Sequence, residues 1–230
     1  TLLSEASGNN QFRLHQGFHY ARNYITRQQS KKGFEIFLKY YFDCVVDVPE
    51  NYYFVPTKNS LIDFGTYLSI FENEGFEFKK LEKSDFTELN DIEGGFKVLE
   101  KAINIPSLRE YFGKMLSDVI TFNKKVNVQD LEKLKKQYDL ILDCTWNKLI
   151  QKNDFYYELT HIAYVECKSN THPALTLVDG ELWSLYPTWQ KNLFTLSSVK
   201  FTPLIKGNDF KEINDYKKRL SKKELLKNYS

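Results

Sequence analysis

Ser7-Gly8-Asn9-Asn10-Gln11-Phe12-Arg13-Leu14-His15-Gln16-Gly17-Phe18-His19-Tyr20-Ala21-Arg22-Asn23 places two glycines, two histidines and two arginines in a span too short to be packing alone. Gly8 followed by Asn9 and Asn10 offers free backbone N–H groups and short amides, which suit close approach to a phosphate or a planar ring. The segment reads as a ligand loop, and the chain around it must supply the scaffold that holds it.

Immediately downstream, Ile25, Phe34, Phe37, Leu38 and Tyr41 recur at helical spacing, so residues 23 to 42 are expected to form an amphipathic helix. Tyr52 to Val55 is strand-like. Leu61, Phe64, Leu68 and Phe71 after Asn59-Ser60, with Gly75 as a C′ candidate, predict a second helix. Ser107-Leu108-Arg109-Glu110 has the form of a capping box, and the apolar stripe Leu108, Phe112, Met115, Leu116 predicts a third. Val119 to Phe122 reads as a strand. Tyr138 to Cys144 is a nearly continuous apolar run, the pattern of a parallel strand covered on both faces. From Tyr157 the pattern turns to short β-rich runs, 157 to 167, 174 to 178, 182 to 186 and 193 to 201, with Asp179-Gly180 as a hairpin signal. A last helix begins after Asp209 and ends in lysines. The alternation of helical and strand patterns makes the chain α/β, with a mixed or antiparallel sheet in one half, and no evident linker divides it.

With 42% hydrophobic and 16% aromatic residues, 230 residues can fill a core. No apolar run long enough to span a membrane occurs, and no leader-like segment opens the chain, so a cytoplasmic setting without a membrane span is expected. Cys44, Cys144 and Cys167 are an odd number without C-x-x-C spacing, which argues against a disulfide framework or zinc knuckle and for buried thiols. Thirty-two basic against 30 acidic residues give no electrostatic case for nucleic acid. The lysine-rich last helix reads first as a solvated face. His15 and His19 stand four apart, but the glutamate of H-E-x-x-H is absent and Gly17 lies between them, so no metal site is expected.

Four groups of residues, ordered along the chain, carry a resemblance. Ala6-Ser7-Gly8-Asn9-Asn10 with His15-Gln16-Gly17-Phe18-His19-Tyr20 resembles the segment that passes under the flavin in FAD-dependent oxidoreductases of the D-amino-acid oxidase type. Asp143-Cys144-Thr145, closing an apolar run, is similar to the small, polar strand end that meets the cofactor there. Phe122 to Val126 resembles the place where a strand offers backbone groups to the adenine. The β-rich half is similar to the substrate half of such enzymes. The N-terminal G-x-G-x-x-G unit and the C-terminal glycine-rich segment of that family have no counterpart here, so the resemblance implies a truncated product or fragment with a partial FAD-binding fold.

The resemblance implies FAD as cofactor, held by Ser7, Gly8, Asn9, Asn10, Arg13, His15, Gly17, Val126, Cys144 and Thr145. It implies a catalytic set of His15, His19, Arg22 and Tyr186, with a histidine as proton acceptor. The hydroxyls of Tyr157, Thr176 and Ser184 are expected to bind a small-molecule substrate. Arg13 or Arg22 is expected to take a substrate carboxylate in a bidentate fork. The activity implied is hydride transfer from an amino acid, amine or hydroxy acid to flavin. Residues 1–45 and 105–150 would be cofactor-domain-like, 46–104 and 151–205 substrate-domain-like, and 206–230 a basic helix, all in one compact unit. A non-catalytic binding or structural domain that has lost its cofactor is the alternative.

Overall fold

The computed structural model describes residues 1–150, 155–168 and 173–229, apart from the side chain of Asn228. The strands are β1 (Arg13–Leu14), β2 (Val45–Asp47), β3 (Asn51–Pro56), β4 (Lys79–Lys80), β5 (Ile92–Lys97), β6 (Lys101–Ile103), β7 (Tyr157–Thr160), β8 (Ala163–Glu166), β9 (Ala174–Leu177), β10 (Trp183–Pro187), β11 (Leu193–Ser198) and β12 (Pro203–Gly207). The helices are α1 (Tyr24–Tyr41), α2 (Phe64–Asn73), α3 (Ile105–Met115), α4 (Leu131–Leu134), α5 (Phe210–Arg219) and α6 (Lys222–Leu226). Two compact units, where the sequence suggests one, organise them: Thr1–Met115 with His161–Thr202, and Leu116–Thr160 with Pro203–Ser230.

The larger unit is built on a seven-stranded mixed sheet of order β4-β5-β3-β9-β10-β11-β8. Only the β3–β9 pair is parallel. The Asp179-Gly180 turn joins β9 to β10 in the expected antiparallel hairpin, with Thr176 opposite Ser184. A three-stranded antiparallel sheet, β1-β6-β2, carries the first strand of the ligand loop. The fold is therefore α/β with a mixed sheet, as the pattern implies.

Alternation along β3 decides where the core lies, because successive side chains point to opposite faces. Tyr53 and Val55 are buried under α2 with Phe18, Tyr67, Phe71 and Phe96. Phe54 points the other way, to Leu81, Phe86 and Ile92. That second face lines a cleft of about 430 Å³ with Tyr52, Phe54, Phe86 and Leu175.

Helix boundaries follow the caps. Asn23 accepts from the N–H of Thr26 at 3.0 Å and starts α1. α2 starts at Asp63, which accepts from Thr66 at 2.9 Å, later than the Asn59-Ser60 start predicted, and Gly75 follows its end at φ +63°. Asn104, rather than Ser107, opens α3 by accepting from the N–H of Ser107 at 3.2 Å. α1 also differs in its buried face. Ile25 is exposed, whereas Arg27 is buried beside Phe34.

In the smaller unit β7 and β12 pair antiparallel, with a bulge between Pro203 and Ile205. Asp209 accepts from the N–H of Lys211 and caps α5, whose Ile213 is buried and whose last turn holds Lys217, Lys218 and Arg219. Basic groups there meet the negative end of the helix dipole. The single run expected from 157 to 167 divides into β7 and β8, which belong to different units.

Two predicted strands do not form. Val119 to Phe122 is a turn, with the N–H of Ile120 donating to the carbonyl of Leu116. Tyr138 to Cys144 is irregular, and Tyr138, Leu140 and Leu142 are 60%, 74% and 76% exposed. A doubly covered strand needs a neighbour on each edge and a layer on each face. None of the described strands pairs with this run. The expectation of three buried thiols also fails: Cys44 is buried, Cys167 half-buried and Cys144 exposed, the last because it closes the uncovered run.

Candidate functional site

The start of the ligand loop satisfies itself. Asn9 Nδ2 donates to the carbonyls of Ser4 and Glu5 at 2.7 and 2.8 Å, and Asn10 Nδ2 to those of Ala6 and Ser7 at 2.9 and 3.2 Å. A Cβ on Gly8 would lie 1.9 Å from the carbonyl oxygen of Leu3. The glycine is therefore demanded by the chain's own turn, and the two amides that looked free for a ligand are spent on it. Ser7, in the same turn, is exposed.

Beyond this turn the chain enters the protein. Phe12 is buried against the ring of Trp189, 4.6 Å between centroids, and its carbonyl accepts from Ile103 at 2.6 Å. β1 then pairs with β6 and sets Arg13 opposite Ala102. Downstream, Phe18 is fully buried among Tyr53, Phe71 and Phe76, and Tyr67 Oη donates to its carbonyl at 3.0 Å. Gly17 takes φ +119°, where its missing Cβ avoids the Arg27 carbonyl, 2.8 Å from where it would lie. Arg27 Nη1 donates to the carbonyls of Tyr20 and Ala21, both at 2.7 Å, and its other nitrogens pair with Glu74. Residues 13 to 21 are thus clamped at both ends.

At the centre lies Arg13. Its guanidinium stacks 3.9 Å from the ring centroid of Tyr186, close enough for a cation–π contact. Nη2 donates to Ser184 Oγ at 2.6 Å, and Nη1 to Tyr53 Oη at 3.1 Å and to His19 Nε2 at 2.5 Å. Ser184 also meets Thr176, hydroxyl to hydroxyl, at 3.2 Å. Tyr53 Oη donates to Glu100 Oε2 at 2.8 Å, and Glu100 accepts further from Asn51 at 3.3 Å and the N–H of Gln16 at 2.8 Å. Tyr186 Oη donates to the carbonyl of Lys101 at 3.2 Å.

The electrostatics follow from this packing. Burial, reinforced by the charge of Arg13, lowers the imidazole of His15 to about 4 and that of His19 well below its usual value. Burial raises Glu100 above the usual carboxylate range, against the pull of Arg13 and its three donors. Burial also raises the phenols of Tyr53 and Tyr186. His15 and His19 stack edge to face at 5.6 Å, and Tyr20 lies 5.4 Å from His15. Among the described residues, the buried Gln11 Nε2, Arg13 Nε and His15 Nδ1 have no hydrogen-bond partner. Leaving such groups unpaired costs roughly 1–3 kcal/mol each, so they mark where a ligand with acceptor atoms gains most.

Arg13, His15, Gly17, His19, Thr176, Ser184 and Tyr186 all lie in the larger unit, and Arg13 joins His19, Ser184 and Tyr186 directly. Arg13 spends both N–H groups of Nη1 and one of Nη2 on protein partners, which leaves Nε–H and the second Nη2–H side by side for the expected fork. Arg22 is exposed and spends its guanidinium on Asp179. Val126, Cys144, Thr145 and Tyr157 belong to the smaller unit. There Thr145 Oγ1 donates to Asp143 at 2.7 Å, Tyr157 Oη accepts from Asn147 at 2.9 Å, and Val126 is half-buried. Glu100, Tyr53 and Asn51 were missed. Phe96, Val98, Glu100 and Ala102 alternate inward, so a carboxylate standing at an inward position was the available signal. Among the described residues no cluster of three metal-ligating side chains occurs, and no helix is long and apolar enough to cross a membrane.

Comparison with known proteins adds one relative. No protein-family model and no solved structure matches the chain. The FAD-dependent monooxygenase FPY4 of Fusarium mangiferae is 40% identical over 209 residues, which cover 88% of this chain and 56% of that protein. The chain thus spans little more than half of that relative's length.

Proposed function

We propose that this chain is part of an FAD-dependent oxidoreductase whose larger unit presents the Arg13–His15–His19 segment to flavin and substrate. The observation that carries the reading is the 40% identity, over nearly the whole chain, to a protein named as an FAD-dependent monooxygenase. The sequence resemblance around His15, Gly17 and His19 supports it too, whereas Gly8 serves its own turn and Cys144 closes an irregular, exposed run. The donor set fits such a group: the unpartnered nitrogens of Gln11, Arg13 and His15 suit a planar, acceptor-rich ring system.

Bound FAD would supply the redox chemistry, taking a hydride from substrate or passing electrons to oxygen. The protein's part is to orient and to manage charge. Arg13, fixed by Tyr186 and Ser184, supplies positive charge at the site and two N–H groups that its protein partners leave free, Nε–H and the second Nη2–H. His15, uncharged at neutral pH, offers an unpartnered Nδ1 as a hydrogen-bonding or proton-accepting group. Thr176 and Ser184 form the hydroxyl pair nearest Arg13. The self-satisfied turn at residues 4–10 and the uncovered run 138–144 support weak retention of FAD by this chain alone.

The motif resemblance favours hydride removal from an amino acid, amine or hydroxy acid, whereas the relative's name favours oxygen insertion. The test is the visible spectrum of purified protein, with flavin bands near roughly 380 and 450 nm expected when cofactor is held. Turnover then separates the chemistries: hydrogen peroxide with an oxidised product marks the oxidase, and an oxygenated product marks the monooxygenase. A longer form that lacks flavin bands after incubation with FAD would overturn the reading.

A further inference from the structure

We propose that Glu100 is a positioning residue for this site: through Tyr53 and Arg13 it fixes His19 as the Nδ1–H tautomer, leaving His15 as the imidazole with a nitrogen free to meet a ligand. Its importance for catalysis rests on the flavoprotein reading, but the arrangement itself does not.

The argument is one of donors and acceptors. A guanidinium has only N–H donors, so the 2.5 Å contact of Arg13 Nη1 with His19 Nε2 requires a lone pair on Nε2. The ring proton of uncharged His19 must then sit on Nδ1. Nη1 is held in place by a second contact, to Tyr53 Oη at 3.1 Å. Tyr53 has a single hydroxyl proton and can accept from Arg13 only while that proton points elsewhere. Glu100 Oε2, 2.8 Å away, takes it.

Glu100 is 1% exposed, and every contact that it makes is as an acceptor: the N–H of Gln16 on Oε1, and Tyr53 and Asn51 on Oε2. An amide in its place would turn one end into a donor facing another donor, either Gln16 or the Tyr53–Asn51 pair. Gln16 lies between the two histidines in sequence, so the same carboxylate holds the loop backbone and, three hydrogen bonds away, one of its rings. Arg13 has no direct carboxylate partner among the described residues, and Glu100 supplies the balancing charge through Tyr53. His15 Nδ1 is untouched by this network.

Long-range ¹H–¹⁵N correlation spectra of the histidine-labelled chain, without cofactor, test the assignment. In the unaltered protein one histidine, assigned to His19 by its loss in His19→Gln, should show protonated Nδ1 and unprotonated Nε2. In Tyr53→Phe, which keeps the buried ring, and in Glu100→Gln, those two nitrogens should exchange their protonated and unprotonated shifts or average between them. Tyr67→Phe removes a buried hydroxyl outside the relay and should leave His19 unchanged. The proposal is overturned if His19 is Nε2–H in the unaltered protein, if Glu100→Gln or Tyr53→Phe leaves it as Nδ1–H, or if Tyr67→Phe shifts it equally. Because no flavin is present, failure of the flavoprotein reading leaves this result standing, and the reverse holds too.

Discussion

His15 and His19 are four residues apart in the same loop, and their partners give them different chemistry. His19 is committed to Arg13, whereas His15 keeps a free ring nitrogen. The depressed value of His15 fixes a pH dependence. As pH falls from about 6.5 to about 4, the unfolded chain binds a proton that the folded chain refuses, so stability is lost through that window. The loss attributable to His15 is at most roughly 3 kcal/mol. Glu100, raised in the fold, works in the opposite direction, so the comparison must be with a variant. His15→Asn should flatten the fall in urea-unfolding free energy between neutral pH and the lower end of the window; an unchanged slope would show that His15 titrates normally. Gly8 gives a second residue-scale expectation. Gly8→Ala should destabilise the folded chain by about 1–3 kcal/mol in the absence of any cofactor, because its Cβ meets the Leu3 carbonyl. Thermal melts read this directly, and an unshifted midpoint would return Gly8 to the role of a ligand-approach glycine.

At the level of elements, local signals were legible and those that depend on distant partners were not. The β9–β10 hairpin was readable because Asp179-Gly180 and the flanking alternation act within fourteen residues. α1 and α5 were readable from helical patterning within their own segments, and Asn23 and Asp209 prove to cap them. The apolar run 138–144 was misread because its strand pattern is realised only with neighbours, and the described strands offer it none. Of the site, Arg13 and Ser184 could be named from sequence, whereas Glu100 left only the signal of a carboxylate at an inward position, its partners lying 47, 49 and 84 residues away. Phe18 links the two classes: it looked like a loop residue and proves to anchor the loop in the core. Phe18→Ala should cost about 3–5 kcal/mol and release residues 15 to 20, visible as loss of amide protection there. Protection that persists would mean that the Arg27 clamp alone holds the loop.

Across the whole molecule, two units of unequal order carry the residues that the flavoprotein motifs bring together in sequence. The larger has a mixed seven-stranded sheet and a dense aromatic core; the smaller leaves Leu140, Leu142 and Trp146 exposed. That difference departs from the flavoprotein reading, which expected the run 138–144 to be a covered strand. The most direct test is titration with FAD, followed by flavin fluorescence, of this chain and of a form extended over the parts of the relative that it does not span. The account predicts weak binding to this chain and tight, saturable binding to the extended form. Tight binding to this chain alone would contradict the account of residues 4–10 and 138–144, and absence of binding to the extended form would contradict the flavoprotein assignment itself.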